Sequence, residues 1–267
     1  MVTSSSASEK IREKILSIGV KCGKAVHFGG SLSLVEILSV LYFDVMRHNP
    51  SDPGWAERDR LILSKGHAAL ALYVTLHIAG YLSEEDLDLF MVDGSSLIAH
   101  PVKNIGKGIE ASTGSLGQGI GFAVGLAEGL RRKAIGAHVF CIIGDGESNE
   151  GSVHEALRLA SMRGLSNLTV IVDRNGMQND GDTRFILPNN SLEEVYRAVG
   201  LNVVRVDGHD TEALRNALSS NNSSNPLLVV ADTIKGFGVD LMERNNDWHH
   251  NRLTLKTFEN LKGNRGS

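Results

Sequence analysis

From His138 onward the chain alternates short apolar runs with amphipathic stretches, and that alternation leaves few folds open. Residues 139–143, 168–172, 203–206 and 227–230 are strand-length runs rich in Val, Ile and Leu. Between them, 150–163, 192–199 and 211–218 carry apolar residues at helical spacing, such as Val153, Ala156, Leu157 and Ala160. Strands that alternate with helices build βαβ units, so the strands run parallel and helices cover the sheet. The expected class is α/β, with a mostly parallel central sheet and helices on both faces.

The first half is richer in helix. Residues 9–21 and 32–46 read as helices, 60–64 as a short buried strand and 67–79 as a further helix. Ser83 reads as an N-cap, because Glu84, Glu85 and Asp86 follow where the helix dipole favours acidic groups. Residues 1–8 are Ser-rich and read as a flexible tail, which leaves 9–267 as a single domain without repeats or a long linker. A chain of 267 residues is long enough for a sizeable core. Its formal net charge of −4 argues against nucleic acid as the main partner. The longest apolar stretch, 68–82, contains His77 and falls short of a membrane span. Cys22 and Cys141 lie far apart and show no ligand spacing, which predicts reduced thiols in a cytoplasmic protein.

Chemistry concentrates where two of these runs end. Gly144-Asp145-Gly146 closes one and Asp173-Arg174-Asn175 closes the next, with 30 positions between Asp145 and Asn175 (175 − 145). Parallel strands deliver both residues to the carboxyl edge of the sheet, where open α/β folds bind ligands. The helix that follows presents free N–H groups and a positive dipole end, which suits phosphate. A carboxylate, an amide oxygen and a main-chain carbonyl are hard ligands for a magnesium ion shared with a diphosphate. Gly-Asp-Gly by itself is a common turn.

It does not stand alone. Gly144-Asp145-Gly146-Glu147, Glu150-Gly151, Glu155-Ala156, Leu165-x-Asn167-Leu168 and Asp173-x-Asn175-x-x-Gln178 resemble the thiamine-diphosphate-binding region of transketolases. The resemblance continues in His27-Phe28-Gly29-Gly30-Ser31, Lys65-Gly66-His67, His100-Pro101 and Thr113-Gly114-Ser115-Leu116-Gly117. Asp207-Gly208-His209-Asp210, Lys235-Gly236-x-Gly238 and Asn245-Asn246-x-Trp248-His249 complete it, in family order from about residue 11 to 253.

The resemblance implies a thiamine-diphosphate-binding fold and a role for each matched residue. Asp145, Asn175 and the main-chain oxygen of Met177 would hold Mg2+, or Ca2+ or Mn2+ in its place. Gly144, Asp145, Gly146 and Glu147 would bind the diphosphate end of the cofactor, with His67 and His249 beside it. Gly114 and Leu116 would line its ring systems. His27 and His100 would face the reacting carbons of a sugar, and His249 would share in catalysis. Glu150 would sit near a subunit interface and order a proton network there. Imidazoles suit such work, because sugar hydroxyls must gain and lose protons near neutral pH. His48, His77, His138, His154 and His250 read instead as surface or core residues.

The implied activity is transfer of a two-carbon ketol unit from a ketose, phosphorylated by default, to an aldose. Single-chain transketolases continue into a pyrimidine-binding domain, whereas this sequence stops at Ser267. The expectation is an N-terminal subunit that works with a separately encoded C-terminal subunit, most simply as an α2β2 assembly. Phe28, Ser115 and His154 depart from the commoner family residues, and the first two border the sugar pocket. Three other readings stay open: an α subunit of a 2-oxoacid dehydrogenase, a deoxyxylulose-phosphate-synthase-like enzyme, and a non-catalytic subunit derived from a transketolase. Gly117, Gly121, Gly125 and Gly129 recur every four residues, at about 1 kcal/mol each inside a helix. That stripe fits either tight packing on the chain's own sheet or a helix at a subunit interface.

Overall fold

The computed structural model describes residues 3–187, 192–219 and 223–263. Five parallel strands form its central sheet: β1 (Arg60–Leu63), β2 (Val139–Gly144), β3 (Leu168–Arg174), β6 (Asn202–Asp207) and β7 (Leu227–Asp232). Their order across the sheet is β1-β2-β3-β7-β6. A small antiparallel pair, β4 (Met177–Gln178) and β5 (Gly181–Asp182), follows β3.

Alternate residues of each central strand enter different cores, as a sheet covered on both faces requires. Phe140, Ile142, Ile171 and Val229 pack into one core, with α1 (Ser4–Cys22), α2 (Phe28–Leu32), α3 (Val35–Val40) and α4 (Ala69–Ile78). The short helix α5 (Glu84–Asp88) adds Leu87 to that core. Cys141, Ile143, Val170 and Val230 pack into the other core, with α6 (Gly119–Arg132) and α7 (Gly151–Met162). The one-turn helix α8 (Thr183–Ile186) follows β5, and α9 (Leu192–Ala198) contributes Leu192 and Tyr196 to this second core. Helix α10 (Thr211–Ser219) lies on the first face through Leu214, and α11 (Leu255–Gly263) packs near α1.

The expected strands and helices of the second half are present, with ends moved by one or two residues. Two departures lie in the first half. Helix α1 begins at Ser4, because Thr3 caps it by accepting from the Ser6 N–H and Ala7 is buried. Ser8 Oγ meets Ser39 Oγ at 2.7 Å, so residues 4–8 are packed helix where a flexible tail was expected. Met1 and Val2 lie outside the described residues. The helix expected over 32–46 is broken into α2, α3 and a π-helical turn, Leu41–Val45, closed by the Met46 N–H on the Leu41 carbonyl at 2.7 Å. Ser83 does cap α5, in a capping box with Asp86. Helix α11 escaped the sequence reading because its apolar residues, Leu255, Phe258 and Leu261, are few and spread among polar ones. Among the described residues no helix is long and apolar enough to cross a membrane, and both cysteines are free.

Because the strands are parallel, all their carboxyl ends lie on one edge of the sheet. Lys65 and His67 follow β1, Asp145 follows β2, Asn175 follows β3, and Lys235 follows β7.

Candidate active site

The register of β2 and β3 sets Gly144 against Asp173, so Asp145 and Asn175 emerge side by side. The Asp145 carboxylate accepts from the Gly146 N–H at 2.8 Å and the Gly176 N–H at 2.7 Å. It is 4% exposed, and burial, followed by the nearby Asp173 carboxylate, raises its pKa to about 6. The Asn175 amide is held at both ends: Nδ2 donates to Asp173 at 3.1 Å and Oδ1 accepts from the Met177 N–H at 3.1 Å. Among the described residues no group of three or more His, Cys, Asp or Glu could by itself hold a metal ion. A metal at this edge must therefore use amide and main-chain oxygens beside Asp145, and Asn175 and Met177 offer that set. The donors are all hard oxygens, so they fit magnesium, calcium or manganese and not a softer ion.

Asp173 itself was not among the expected site residues. Its carboxylate is fully buried and meets the Lys65 ammonium at 2.5 Å and the Ser33 hydroxyl at 2.7 Å, with Thr233 also donating to it. Burial pushes this carboxyl up, but Lys65, Thr233 and Ser33 more than offset that and leave it below the usual range. Lys65 also donates to the Gly30 carbonyl at 3.2 Å. The pair thus ties β1, β3 and α2 together directly beneath Asn175.

Glu147 also lines the cleft. Its buried carboxylate accepts from Ser64 Oγ at 2.5 Å, the Gly117 N–H at 2.9 Å and the Gly144 N–H at 3.1 Å. Through these bonds it braces the loop that carries Asp145. Glu150 stands at the N-cap of α7 without a capping hydrogen bond, exposed at the cleft rim.

The four expected histidines converge from three loops and one helix start. Ring centroids of His27 lie 5.4 Å from His67, 5.9 Å from His100 and 5.4 Å from His249. His67 and His249 are 5.6 Å apart. Burial first, then neighbouring histidine and lysine side chains, drives the pKa of His27 to about 3 and of His249 to about 4, and His67 falls well below its ordinary value. These three rings are neutral near pH 7, so each has one donor and one acceptor nitrogen. His250, read as a surface or core residue, is exposed, yet its ring lies 4.4 Å from His27 at the edge of the cluster. His48, His77 and His138 remain outside the cluster, on main-chain, hydroxyl or, for His77, also Glu84 carboxylate partners.

His67, His249, Gly114, Leu116, Gly144, Asp145, Gly146, Asn175 and Met177 line one cleft of about 310 Å³. Two glycines let its walls meet. A Cβ on Gly66 would stand 2.7 Å from the Gly114 nitrogen, and Gly114 has φ +149° with His100 Cδ2 2.9 Å from where its own Cβ would be.

The glycine stripe divides by position. At Gly117, just before α6, a Cβ would meet Ser152 Oγ at 2.3 Å and Glu150 Cβ at 2.9 Å, so there the chain packs on the start of its own α7. Gly121, Gly125 and Gly129 face open space, beside Phe122, which is 55% exposed. Leu159 and Met162 of α7 are also exposed, so this part of the stripe does not serve packing on the sheet.

A family model described as the thiamine diphosphate binding domain of transketolase matches residues 5–266. The chain is 42% identical over 235 residues to a 6-deoxy-6-sulfo-D-fructose transketolase subunit of Clostridium sp. (strain MSTE9), covering 87% of this chain and 86% of that protein. It is 38% identical over 254 residues to an apulose-4-phosphate transketolase subunit of Phocaeicola vulgatus, covering 94% and 90%. The fold matches transketolase from Leishmania mexicana with a TM-score of 0.92 and 33% identity, over all of this chain and 42% of that one. The chain thus spans about two fifths of a solved transketolase and most of each subunit named above. With the cleft, its glycines and its histidines in place, it belongs to the transketolase family.

Proposed function

We propose that this chain is the diphosphate-anchoring subunit of a thiamine-diphosphate-dependent transketolase, moving a two-carbon ketol unit from a ketose to an aldose. The observation that carries this reading is the meeting of the Asp145–Asn175–Met177 oxygen set and the histidine cluster at one cleft. Mg2+, or Ca2+ or Mn2+, would be held by the Asp145 carboxylate, Asn175 Oδ1 and the Met177 carbonyl. When bound, thiamine diphosphate supplies an electron sink for the two-carbon unit. Gly146 and the start of α7 would contact the diphosphate. His67 and His249 would sit beside it, and Gly114 and Leu116 would face the cofactor's rings.

His27 and His100 hold the sugar hydroxyls. As a neutral imidazole, His27 takes a hydroxyl proton on its free nitrogen and returns it when the new carbon–carbon bond has formed. The two relatives named above act on sugars that carry a sulfonate or a phosphate. A ketose with an anionic end is therefore the substrate class we assign. The histidine cluster favours a sugar over a 2-oxoacid, and its convergence on the cleft favours catalysis over a purely structural role.

The outer rim of the cleft carries exposed Leu116 and Glu150, and the open glycine face of α6 adjoins it. We assign this surface to a separate C-terminal subunit with the pyrimidine-binding domain, in an α2β2 assembly. Both relatives are themselves named as subunits. Mixing the chain with that partner, thiamine diphosphate and magnesium is expected to give ketol transfer, while either chain alone gives none. Full activity of this chain alone would overturn the two-chain reading.

The Asp145 pKa gives a second test. A pKa raised on folding contributes stability below about pH 4 that is lost as pH rises through about 6, where the buried charge forms. A cation favours the carboxylate. Binding at pH 6 is therefore expected to release about half a proton from Asp145, and close to none at pH 8. Calorimetry in buffers of different ionisation enthalpy reads this number. The same proton count at both pH values would remove Asp145 from the ligand set.

A further inference from the structure

Lys235 follows β7 and is 2% exposed. Its ammonium lies within hydrogen-bond distance of three groups: the Gln178 carbonyl at 3.2 Å, Asn246 Oδ1 at 2.6 Å and His249 Nδ1 at 2.9 Å. The first is an acceptor only. The second is fixed as an acceptor because Asn246 Nδ2 donates to the Asn179 carbonyl at 2.7 Å. An ammonium has three protons and no lone pair. Two protons go to oxygens, and the third meets His249 Nδ1.

Nδ1 must then carry a lone pair. A neutral imidazole with its lone pair on Nδ1 has its proton on Nε2. Protonating both nitrogens would set an N–H against an N–H at 2.9 Å, beside a buried positive charge. The His249 N–H donates to the Asn246 carbonyl at 2.9 Å, and the 3-10 turn Asn246–Trp248 fixes the backbone that carries the ring. His249 lines the cleft, and among the described residues its Nε2 has no protein partner.

We infer that Lys235 is a positioning residue that locks His249 as the Nε2–H tautomer, so that this ring only donates hydrogen bonds into the cleft. A fixed donor suits an anionic oxygen and does not suit a proton to be abstracted. His249 therefore serves phosphate binding, and proton traffic falls to His27 and His100. The lock follows from this chain's own atoms; its use for a diphosphate rests on the function proposed above.

The test begins with the unaltered chain, 15N-labelled at histidine, at pH 7. Long-range proton–nitrogen correlation spectra separate the two tautomers and the imidazolium, and loss of one pattern in His249→Asn assigns the signals. The expected pattern is protonated Nε2 and unprotonated Nδ1. A pattern with protonated Nδ1, an imidazolium, or exchange averaging overturns the lock. In Lys235→Met the pattern is expected to average, and affinity for thiamine diphosphate with magnesium, read by calorimetry, to fall about tenfold. An unchanged tautomer in that variant also overturns the assignment to Lys235. A locked ring in a chain that binds no thiamine diphosphate, alone or with its partner, supports the lock and sinks the cofactor reading instead.

Discussion

Asp145→Ala is expected to abolish cation-dependent retention of thiamine diphosphate, with a loss of affinity on the order of 100-fold or more. Asp145 is the one carboxylate in the proposed oxygen set, and it supplies the formal charge that draws a divalent ion between protein and diphosphate. Asn175 and the Met177 carbonyl are neutral and cannot replace that charge. The fold should survive. The variant leaves the Gly146 and Gly176 N–H groups without their acceptor, a loss of about 1–3 kcal/mol for each that stays dry. It also removes a buried charge that burial and Asp173 disfavour. These effects oppose one another. Thermal unfolding without cation should therefore stay cooperative, while binding measured with magnesium should drop to the level seen with chelator. Binding that stays magnesium-dependent and of ordinary strength in Asp145→Ala would show that the ion sits elsewhere.

The largest stability effect is expected at Lys65. Lys65→Met leaves the Asp173 carboxylate fully buried beside Asp145 with only neutral donors, Ser33, Thr233 and Asn175. Breaking a buried ion pair from one side costs about 3–5 kcal/mol. In a chain of this size each kcal/mol moves Tm by roughly 2–4 °C. The pH dependence identifies the cause. With Lys65 present the folded Asp173 pKa is depressed, so the carboxylate adds stability above its unfolded pKa, about 3.9, and loses it as pH falls. Without Lys65, burial raises that pKa and the sign reverses. The deficit should then be largest near pH 7 and shrink toward pH 4, where the proton neutralises Asp173. A deficit independent of pH would mean that Lys65 matters through packing alone.

These two positions were not equally legible. Asp145 stands in a short motif at the end of an apolar run, and both cues are local in the chain. Lys65 stood in a recognised motif too, but its partner Asp173 lies 108 positions away, and no local pattern pairs them. Glu147 lies inside the motif and was read as cofactor-binding, but its bonds to Ser64 and the Gly117 N–H show in no local pattern. Which way a side chain turns depends on donors that other segments bring. His250 was left out of the site, and only the fold brings its exposed ring beside His27.

By itself, the sequence determined the element order and the parallel sheet, because a strand buried on both faces must be apolar along its length and a helix must be apolar along one side. It also determined which residues reach the carboxyl edge, since parallel strands leave no other place for residues that follow them. The tertiary structure decided the rest. It paired Lys65 with Asp173 and Lys235 with His249, turned Glu147 inward, and left Gly121, Gly125 and Gly129 facing outward. Charges and hydrogen bonds act over a few ångströms of space, and only folding brings residues a hundred positions apart within that range.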